Sequence, residues 1–109
     1  MSQPSFRIGE ITLRLDLCQA FVGDTSVGLT NREFTILTLL AQHDGALSRE
    51  EIYQRVWGHE MSNSDRSVDV FVRKLRRTLD HASPGWRYIQ TELGRGYRCA
   101  PVRADDEPA

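Results

Sequence analysis

The chain has 109 residues, a net charge of −1 at pH 7 and 39% hydrophobic residues, which suits one folded domain and argues against a wholly disordered chain. No apolar stretch approaches the roughly 20 residues that a membrane helix needs, and the N-terminus lacks the pattern of a secretory signal. We therefore expect a cytoplasmic protein with no membrane partner.

The first third of the chain predicts short antiparallel strands after a disordered tail at residues 1–5. Apolar and polar residues alternate from Phe6 to Ile8 and again over 11–17, which is the period of a half-buried strand. Residues 19–22 and 26–29 follow as further candidates, separated by the turn dipeptide Gly23-Asp24. The pattern predicts three or four strands.

Two capping boxes predict two adjacent helices. Thr30 and Glu33 have the spacing that lets each side chain bond to the backbone of the other, so a helix is expected from about 31 to 42. Ser48 and Glu51 repeat the device, and Gly58 is the expected end of that second helix. A short connection joins the two helices, which is typical of a helix-turn-helix arrangement.

A third helix is predicted within the segment SDRSVDVFVRKLRRTLD, residues 64–80, with Ser62, Ser64 and Asp65 as alternative N-caps. Positions 68, 72, 75 and 79 form one apolar stripe at 100° per residue. The segment holds five of the fourteen basic residues of the chain, and residues 64–99 hold eight basic residues against four acids. This asymmetry is the electrostatic footprint of a surface that meets an anionic polymer.

The face of this helix opposite the apolar stripe is basic. Arg66, Arg73 and Arg77 lie on it, with Lys74 and Arg76 at its flanks. An ordinary solvated surface is the alternative interpretation. The face has a single sign of charge, however, and Val70 at its centre suits contact with a thymine methyl group.

A β-hairpin is predicted after the breaker Pro84-Gly85, with strands on either side of the tip Leu93-Gly94-Arg95-Gly96. The glycines let the tip approach a surface closely. A basic helix followed by a basic hairpin supplies one element for a major groove and another for the adjacent minor groove or backbone. We expect the domain to cover residues 6–100 and the acidic segment 101–109 to be disordered.

No motif in the chain predicts an enzyme, a metal site, a cofactor or a small-molecule ligand. The three histidines are scattered, and no nucleophile stands beside a base in a known pattern. Cys18 and Cys99 lack metal or redox spacing and are expected to be reduced thiols, buried or half-buried.

The motifs LTNREFTILTLLAQHDG, LSREEIYQRVWG, SDRSVDVFVRKLRRTLD and YIQTELGRGYR resemble, in order and spacing, the winged-helix effector domains of OmpR/PhoB-type response regulators. The resemblance covers about residues 11–97. It implies an α+β winged helix-turn-helix fold: an N-terminal antiparallel four-stranded sheet, three helices and a C-terminal β-hairpin wing. It also implies double-stranded promoter DNA as the partner, with the third helix as the recognition helix.

The resemblance further implies roles for matching positions. Lys74 stands where a basic residue reads base edges, and Arg66, Arg73 and Arg76 stand where residues hold phosphates. Leu93 departs from the family pattern, because an arginine often stands there; Arg95 takes over the minor-groove role, or Leu93 packs and the wing touches only phosphate. The candidate DNA contacts are Arg66, Ser67, Val70, Arg73, Lys74, Arg76 and Arg77 on the recognition helix, Thr91, Gly94 and Arg95 on the wing, and Arg49 and Trp57 for the DNA backbone.

The expected function is sequence-specific binding of promoter DNA to regulate transcription, as the effector domain of a two-component response regulator or as a stand-alone regulator of that type. The resemblance implies RNA polymerase as a further partner through loop 59–63 and two copies in tandem on one site. The alternative function is a winged-helix protein–protein docking domain, for which a shallow salt dependence is the distinguishing sign.

Overall fold

The structure, a computed structural model, describes residues 5–62 and 65–106 and confirms the predicted α+β winged-helix architecture. Helices and strands follow the expected order. They are β1 (Ser5–Ile8), β2 (Ile11–Arg14), β3 (Gln19–Val22), β4 (Thr25–Ser26), α1 (Asn31–Gln42), α2 (Arg49–Trp57), α3 (Ser67–Ala82), β5 (Trp86–Glu92) and β6 (Gly96–Arg103), with a final 3-10 turn at Ala104–Asp106.

The N-terminal sheet is antiparallel, in the order β1-β2-β3-β4. Its core face is fixed by period-2 alternation, since Ile11, Leu13 and Ala20 are all fully buried. Strand β2 is shorter than the predicted 11–17 because the chain turns there: the Leu17 amide donates to the Arg14 carbonyl at 3.2 Å and Cys18 has a φ of 52°. Strand β4 is also shorter than predicted.

Helices α1 and α2 begin and end where the capping signals predict. In α1, the Glu33 amide donates to Thr30 Oγ1 at 3.2 Å and the Thr30 amide donates to Glu33 Oε1 at 2.9 Å. The same exchange between Ser48 and Glu51 opens α2, and Gly58 in the left-handed conformation ends it. Local hydrogen bonds therefore fix where both helices begin, and the left-handed Gly58 fixes where α2 ends.

Helix α3 begins at Ser67, with Arg66 at the N-cap position and no side-chain capping bond from it. Of the predicted caps, Ser64 lies outside the described residues and Asp65 stands one residue before the N-cap. Its Oδ1 accepts from the Ser67 amide at 2.8 Å, and this contact satisfies one free N–H of the first turn. The predicted apolar stripe is confirmed, since positions 68, 72, 75 and 79 are the buried residues of the helix.

The hairpin of β5 and β6 extends beyond the predicted domain limit at residue 100. Val102 pairs with Arg87 and Arg103 with Trp86, and the Ala104 amide donates to the Gly85 carbonyl at 2.9 Å. Residues 102–104 are therefore held by backbone hydrogen bonds and 104–106 form a 3-10 turn, where a disordered tail is expected from the sequence. At the other end Ser5 already belongs to β1, and residues 1–4 and 107–109 of the expected tails lie outside the described residues.

A buried junction joins the N-terminal sheet to the end of α3 and to the hairpin. Ser83, which is fully buried, donates to Glu10 Oε2 at 2.6 Å, and its hydroxyl also lies 2.8 Å from the Tyr88 hydroxyl. Both thiols are free: Cys99 is half-buried as expected, whereas Cys18 is exposed because it stands in the β2–β3 turn, away from the core.

Candidate nucleic-acid interface

A cleft of about 650 Å³ separates the wing from the helices. It is lined by the start of α2, by α3 and by the hairpin tip. The lining residues are Ser48, Arg49, Glu50, Asp69, Arg73, Arg76, Thr91, Glu92, Leu93, Gly94, Arg95, Gly96 and Tyr97. Six of the twelve predicted site residues therefore meet here: Arg49, Arg73, Arg76, Thr91, Gly94 and Arg95.

Two arginines that line the cleft carry its available positive charge. Arg73 on α3 and Arg95 on the wing tip are exposed, and neither forms an ion pair within the described part of the chain. Arg49, by contrast, donates to Asp69 Oδ2 at 3.0 Å. An unpaired guanidinium has all five donors available to an incoming anionic oxygen.

Arg76 has partners that the sequence did not predict. Its guanidinium donates to the Ile89 carbonyl at 3.1 and 3.2 Å and also to Thr91 Oγ1, so two predicted site residues are bonded to each other. The same group lies 5.4 Å from the centre of the Tyr97 ring. Arg76 thus ties the middle of α3 to strand β5.

Asp69 and Tyr97 also line the cleft and were absent from the predicted contacts. The Tyr97 hydroxyl donates to Asp69 Oδ1 at 2.6 Å. Burial, and then the bond to this carboxylate, raises the pKa of Tyr97 to about 12, so the hydroxyl stays a neutral donor at physiological pH. The aspartate lies on a basic helix and the tyrosine lies 28 positions further along the chain, a distance at which local spacing carries no signal.

The outward face of α3 is as basic as predicted. Arg66, Arg73, Lys74 and Arg77 are exposed there, and Val70 has 43% of its surface exposed. The Lys74 ammonium lies 5.6 Å from the centre of the Phe71 ring. Ser67, the remaining predicted contact on this helix, is half-buried.

Arg77 belongs to a different part of the surface from the cleft. It borders a separate hollow beside β3 and β4, together with Val27 and His81. The structure therefore does not bring Arg77 together with the wing.

Trp57 is half-buried in an aromatic cluster at the end of α2. Its ring stacks on Tyr53 at 4.7 Å and meets the edge of Phe71 at 5.6 Å, and the Arg32 guanidinium lies 4.4 Å from its centre. The packing fixes the orientation of the indole but leaves part of it accessible.

The wing tip is shaped by a tight turn. The Arg95 amide donates to the Glu92 carbonyl at 2.9 Å, and Gly94 adopts a φ of 78°, which glycine accepts without strain. Leu93 is 94% exposed. The alternative in which Leu93 packs against the protein is therefore wrong, because the turn directs this side chain into solvent.

Among residues 5–62 and 65–106, no group of three or more His, Cys, Asp or Glu side chains is arranged to hold a metal ion. Nor does any helix in this part of the chain have the length and apolar character to cross a bilayer.

The three-helix unit, the hairpin that follows α3 and the basic cleft between them define a winged-helix domain of the DNA-binding class. Residues 24–99 match the family described as "Transcriptional regulatory protein, C terminal". The chain belongs to this family, which confirms the resemblance to OmpR/PhoB-type effector domains.

Curated relatives and solved structures agree with this assignment. Transcriptional regulatory protein CpxR of Escherichia coli is 36% identical over 95 residues, which cover 86% of this chain and 41% of CpxR. Heme response regulator HssR of Staphylococcus epidermidis is 33% identical over 93 residues, which cover 84% of this chain and 41% of HssR. The chain thus spans less than half the length of either relative.

Two solved domains superpose closely on this fold. The DNA-binding domain of E. coli CpxR matches with a TM-score of 0.78 and 33% identity, covering 88% of this chain and 95% of that domain. The Klebsiella pneumoniae RstA DNA-binding domain, solved in complex with the RstA box, matches with a TM-score of 0.78 and 28% identity, covering 88% of this chain and 96% of that domain.

Proposed function

We propose that this chain binds a specific promoter duplex and thereby regulates transcription. The observation that carries the proposal is that two exposed arginines, Arg73 and Arg95, line one cleft between a helix and a hairpin and form no ion pair within the described part of the chain. A duplex presents phosphates on both sides of each groove, so a helix in the major groove and a wing beside it engage neighbouring segments of backbone. The family assignment and the solved RstA complex support the same function.

In this proposal α3 enters the major groove, which is wide enough to admit a helix. Lys74 reads guanine O6 and N7, and Val70 contacts a thymine methyl group. Both positions are exposed on the outward face of α3, as such a contact requires. Ser67 lies at the first turn of α3, where its hydroxyl can reach the adjacent backbone.

Phosphate contacts then fix the register of the protein on the duplex. We assign them to the exposed Arg66, Arg73 and Arg77 of α3, and to Arg49 and Trp57 of α2. Arg76 and Thr91 contribute through the bond between them, which orients the wing. Gly94 and Arg95 form the tip, and Arg95 enters the adjacent minor groove.

The test is a footprint of this chain on genomic fragments, followed by Lys74→Ala and its matched control Arg73→Ala. Loss of a bidentate base contact is expected to cost about 1–3 kcal/mol and to relax preference at one base pair. Arg73→Ala is expected to weaken all sequences alike and to flatten the salt dependence. A Lys74→Ala footprint with unaltered base preference would refute the role of Lys74 as reader.

The wing is tested separately. Arg95→Ala is expected to abolish protection of the minor groove next to the α3 site, because the tip then carries no charge. If protection survives, the wing does not read the minor groove and touches phosphate alone.

Salt dependence separates DNA binding from the alternative function of protein docking. If the exposed Arg66, Arg73 and Arg77 each neutralise one phosphate, the slope of log K against log salt is expected to be about −2.7, at about −0.9 per contact. No retardation of any fragment at low ionic strength would instead favour the docking domain.

Two further partners belong to the same proposal. Loop 59–63 contacts RNA polymerase: His59 and Glu60 are exposed, while Asn63 lies outside the described residues. A variant in which loop 59–63 is replaced by glycine and serine is expected to lose activation in an in vitro transcription assay, at unchanged promoter occupancy.

Two copies of the chain are expected to bind each site in tandem. The mass of the protein–DNA complex in sedimentation measures that number.

A further inference from the structure

Asp69 is an acidic residue in a cleft that we propose receives phosphates. Both of its oxygens are engaged: Oδ1 accepts from the Tyr97 hydroxyl at 2.6 Å, and Oδ2 accepts from Arg49 at 3.0 Å, with Arg66 3.9 Å away. A carboxylate here repels DNA, since like charges raise the energy at short range. We therefore expect Asp69 to have a structural role in the cleft that outweighs this repulsion.

The wing needs external support to hold its orientation, because a two-stranded hairpin is marginally stable by itself. Three ties supply that support at different points. Leu47 and Tyr97 exchange backbone hydrogen bonds of 2.9 and 3.0 Å, which anchor β6 to the α1–α2 connection. Arg76 holds β5 through Ile89 and Thr91, as described above.

The third tie is the bond from Tyr97 to Asp69. Of the three it is the one that reaches the first turn of α3, so it sets the distance between the wing and the start of the recognition helix. The Asp69 side chain is only 29% exposed, which shields the bond from competing water. The N-cap residue Arg66 makes no side-chain capping bond, so beyond the contact of Asp65 with the Ser67 amide the first turn of α3 depends on tertiary contacts such as this one.

We propose that Asp69 is a positioning residue that fixes the wing against the start of α3 through the Tyr97 hydroxyl, and thereby sets how well the protein distinguishes its target from other DNA. This inference rests on the proposed function. Base reading by Lys74 and minor-groove entry by Arg95 must occur together on one duplex, and such constellations tolerate displacements of only about 0.5 Å. A loosened wing still meets phosphates but no longer favours one sequence.

A purely electrostatic role for Asp69, as a partner that neutralises Arg49, makes a different prediction. Loss of the carboxylate would then strengthen binding to every duplex alike. Tyr97→Phe separates the two roles, because it removes one hydroxyl without altering any charge. Glu50→Gln is the matched control for charge, since Glu50 is an exposed acid that lines the same cleft.

The experiment measures dissociation constants for a duplex selected from a random library by this chain and for a shuffled duplex of the same composition. Tyr97→Phe is expected to lower the ratio of the two affinities about tenfold, equivalent to about 1.4 kcal/mol. Asp69→Ala is expected to lower the ratio equally, and the double variant no further, because both changes remove the same Tyr97–Asp69 bond, while the lost charge of Asp69 alters both affinities alike. Glu50→Gln is expected to strengthen both affinities and leave their ratio unchanged.

A second measurement requires no DNA. Hydrogen exchange at the backbone amides of residues 91–95 is expected to be faster in Tyr97→Phe, while amides in the middle of α1 exchange at the wild-type rate. An unchanged affinity ratio, additive effects in the double variant, or unchanged exchange at the wing would each overturn the proposal. Faster wing exchange in a chain that binds no duplex at all would overturn the proposed function and leave the positioning contact standing.

Discussion

Gly96 stands at the point where β6 crosses the α1–α2 connection, and Gly96→Ala tests whether this crossing holds the wing. A Cβ at this position would overlap the Leu47 carbonyl oxygen and lie 2.7 Å from its carbon and 2.8 Å from Ser48 Cα. All three atoms are backbone, so no side chain can rotate to make room. The φ of 133° is a second obstacle, because residues with a side chain rarely adopt it.

The expected loss combines these two effects. Backbone strain contributes about 1–3 kcal/mol, and the overlap of packed atoms contributes another 1–3 kcal/mol or so, for a total of about 2–6 kcal/mol. Gly94→Ala is the matched control in the same hairpin: its φ is 78°, but an added Cβ has nothing within 4 Å. That change is expected to cost only about 1–2 kcal/mol.

Urea unfolding followed by circular dichroism gives both free energies of unfolding under one set of conditions. Gly96→Ala is expected to have the lower midpoint by a wide margin, and affinity for the selected duplex is expected to fall in the fraction that remains folded. Equal midpoints for Gly96→Ala and Gly94→Ala would refute the reasoning, since they would mean that separating β6 from the α1–α2 connection costs no free energy of unfolding.

Two further predictions concern titrating groups. At about pH 8 an alkylating reagent is expected to modify exposed Cys18 and to spare Cys99, whose pKa burial raises to about 11, until urea unfolds the chain; equal modification of both peptides by mass spectrometry would contradict this. Hydrogen bonds from Ser67 lower the pKa of Asp65 in the folded chain. The ionised Asp65 carboxylate therefore stabilises the fold fully above its unfolded pKa of about 4, and this stabilisation is lost as the pH falls through the lower folded pKa. Asp65→Asn is therefore expected to reduce the urea midpoint at neutral pH and to match the wild type in acid, and a gap that persists below the folded pKa would show that the Asp65 carboxylate is not the cause.

The parts of the fold that the sequence predicted well are those fixed by neighbouring residues. The capping boxes at Thr30 and Ser48 operate within four residues, so the bounds of α1 and α2 follow from spacing alone. The start of α3 was left open because Arg66 makes no side-chain capping bond. The end of β6 was missed because its pairing partners, Trp86 and Arg87, lie across the hairpin.

In the candidate site, too, the sequence predicted what local patterns determine and missed what contacts between distant residues determine. Helical periodicity placed Arg73 and Val70 on the exposed face of α3, and the glycines placed Arg95 at a turn. Periodicity also placed Arg76 at the flank of that face, but its bonds run to a strand that begins ten positions later, so its tie to Thr91 was not predicted. Asp69 is absent from the predicted site for the same reason, since its partner Tyr97 lies 28 positions further along the chain.

The Glu10–Ser83–Tyr88 junction has a mechanical consequence. Because one buried hydroxyl links the first β-turn, the end of α3 and strand β5, the sheet cannot rotate against α3 without breaking hydrogen bonds in the interior. A contact made on the outer surface of the sheet would therefore reach the C-terminal end of α3 through these hydrogen bonds.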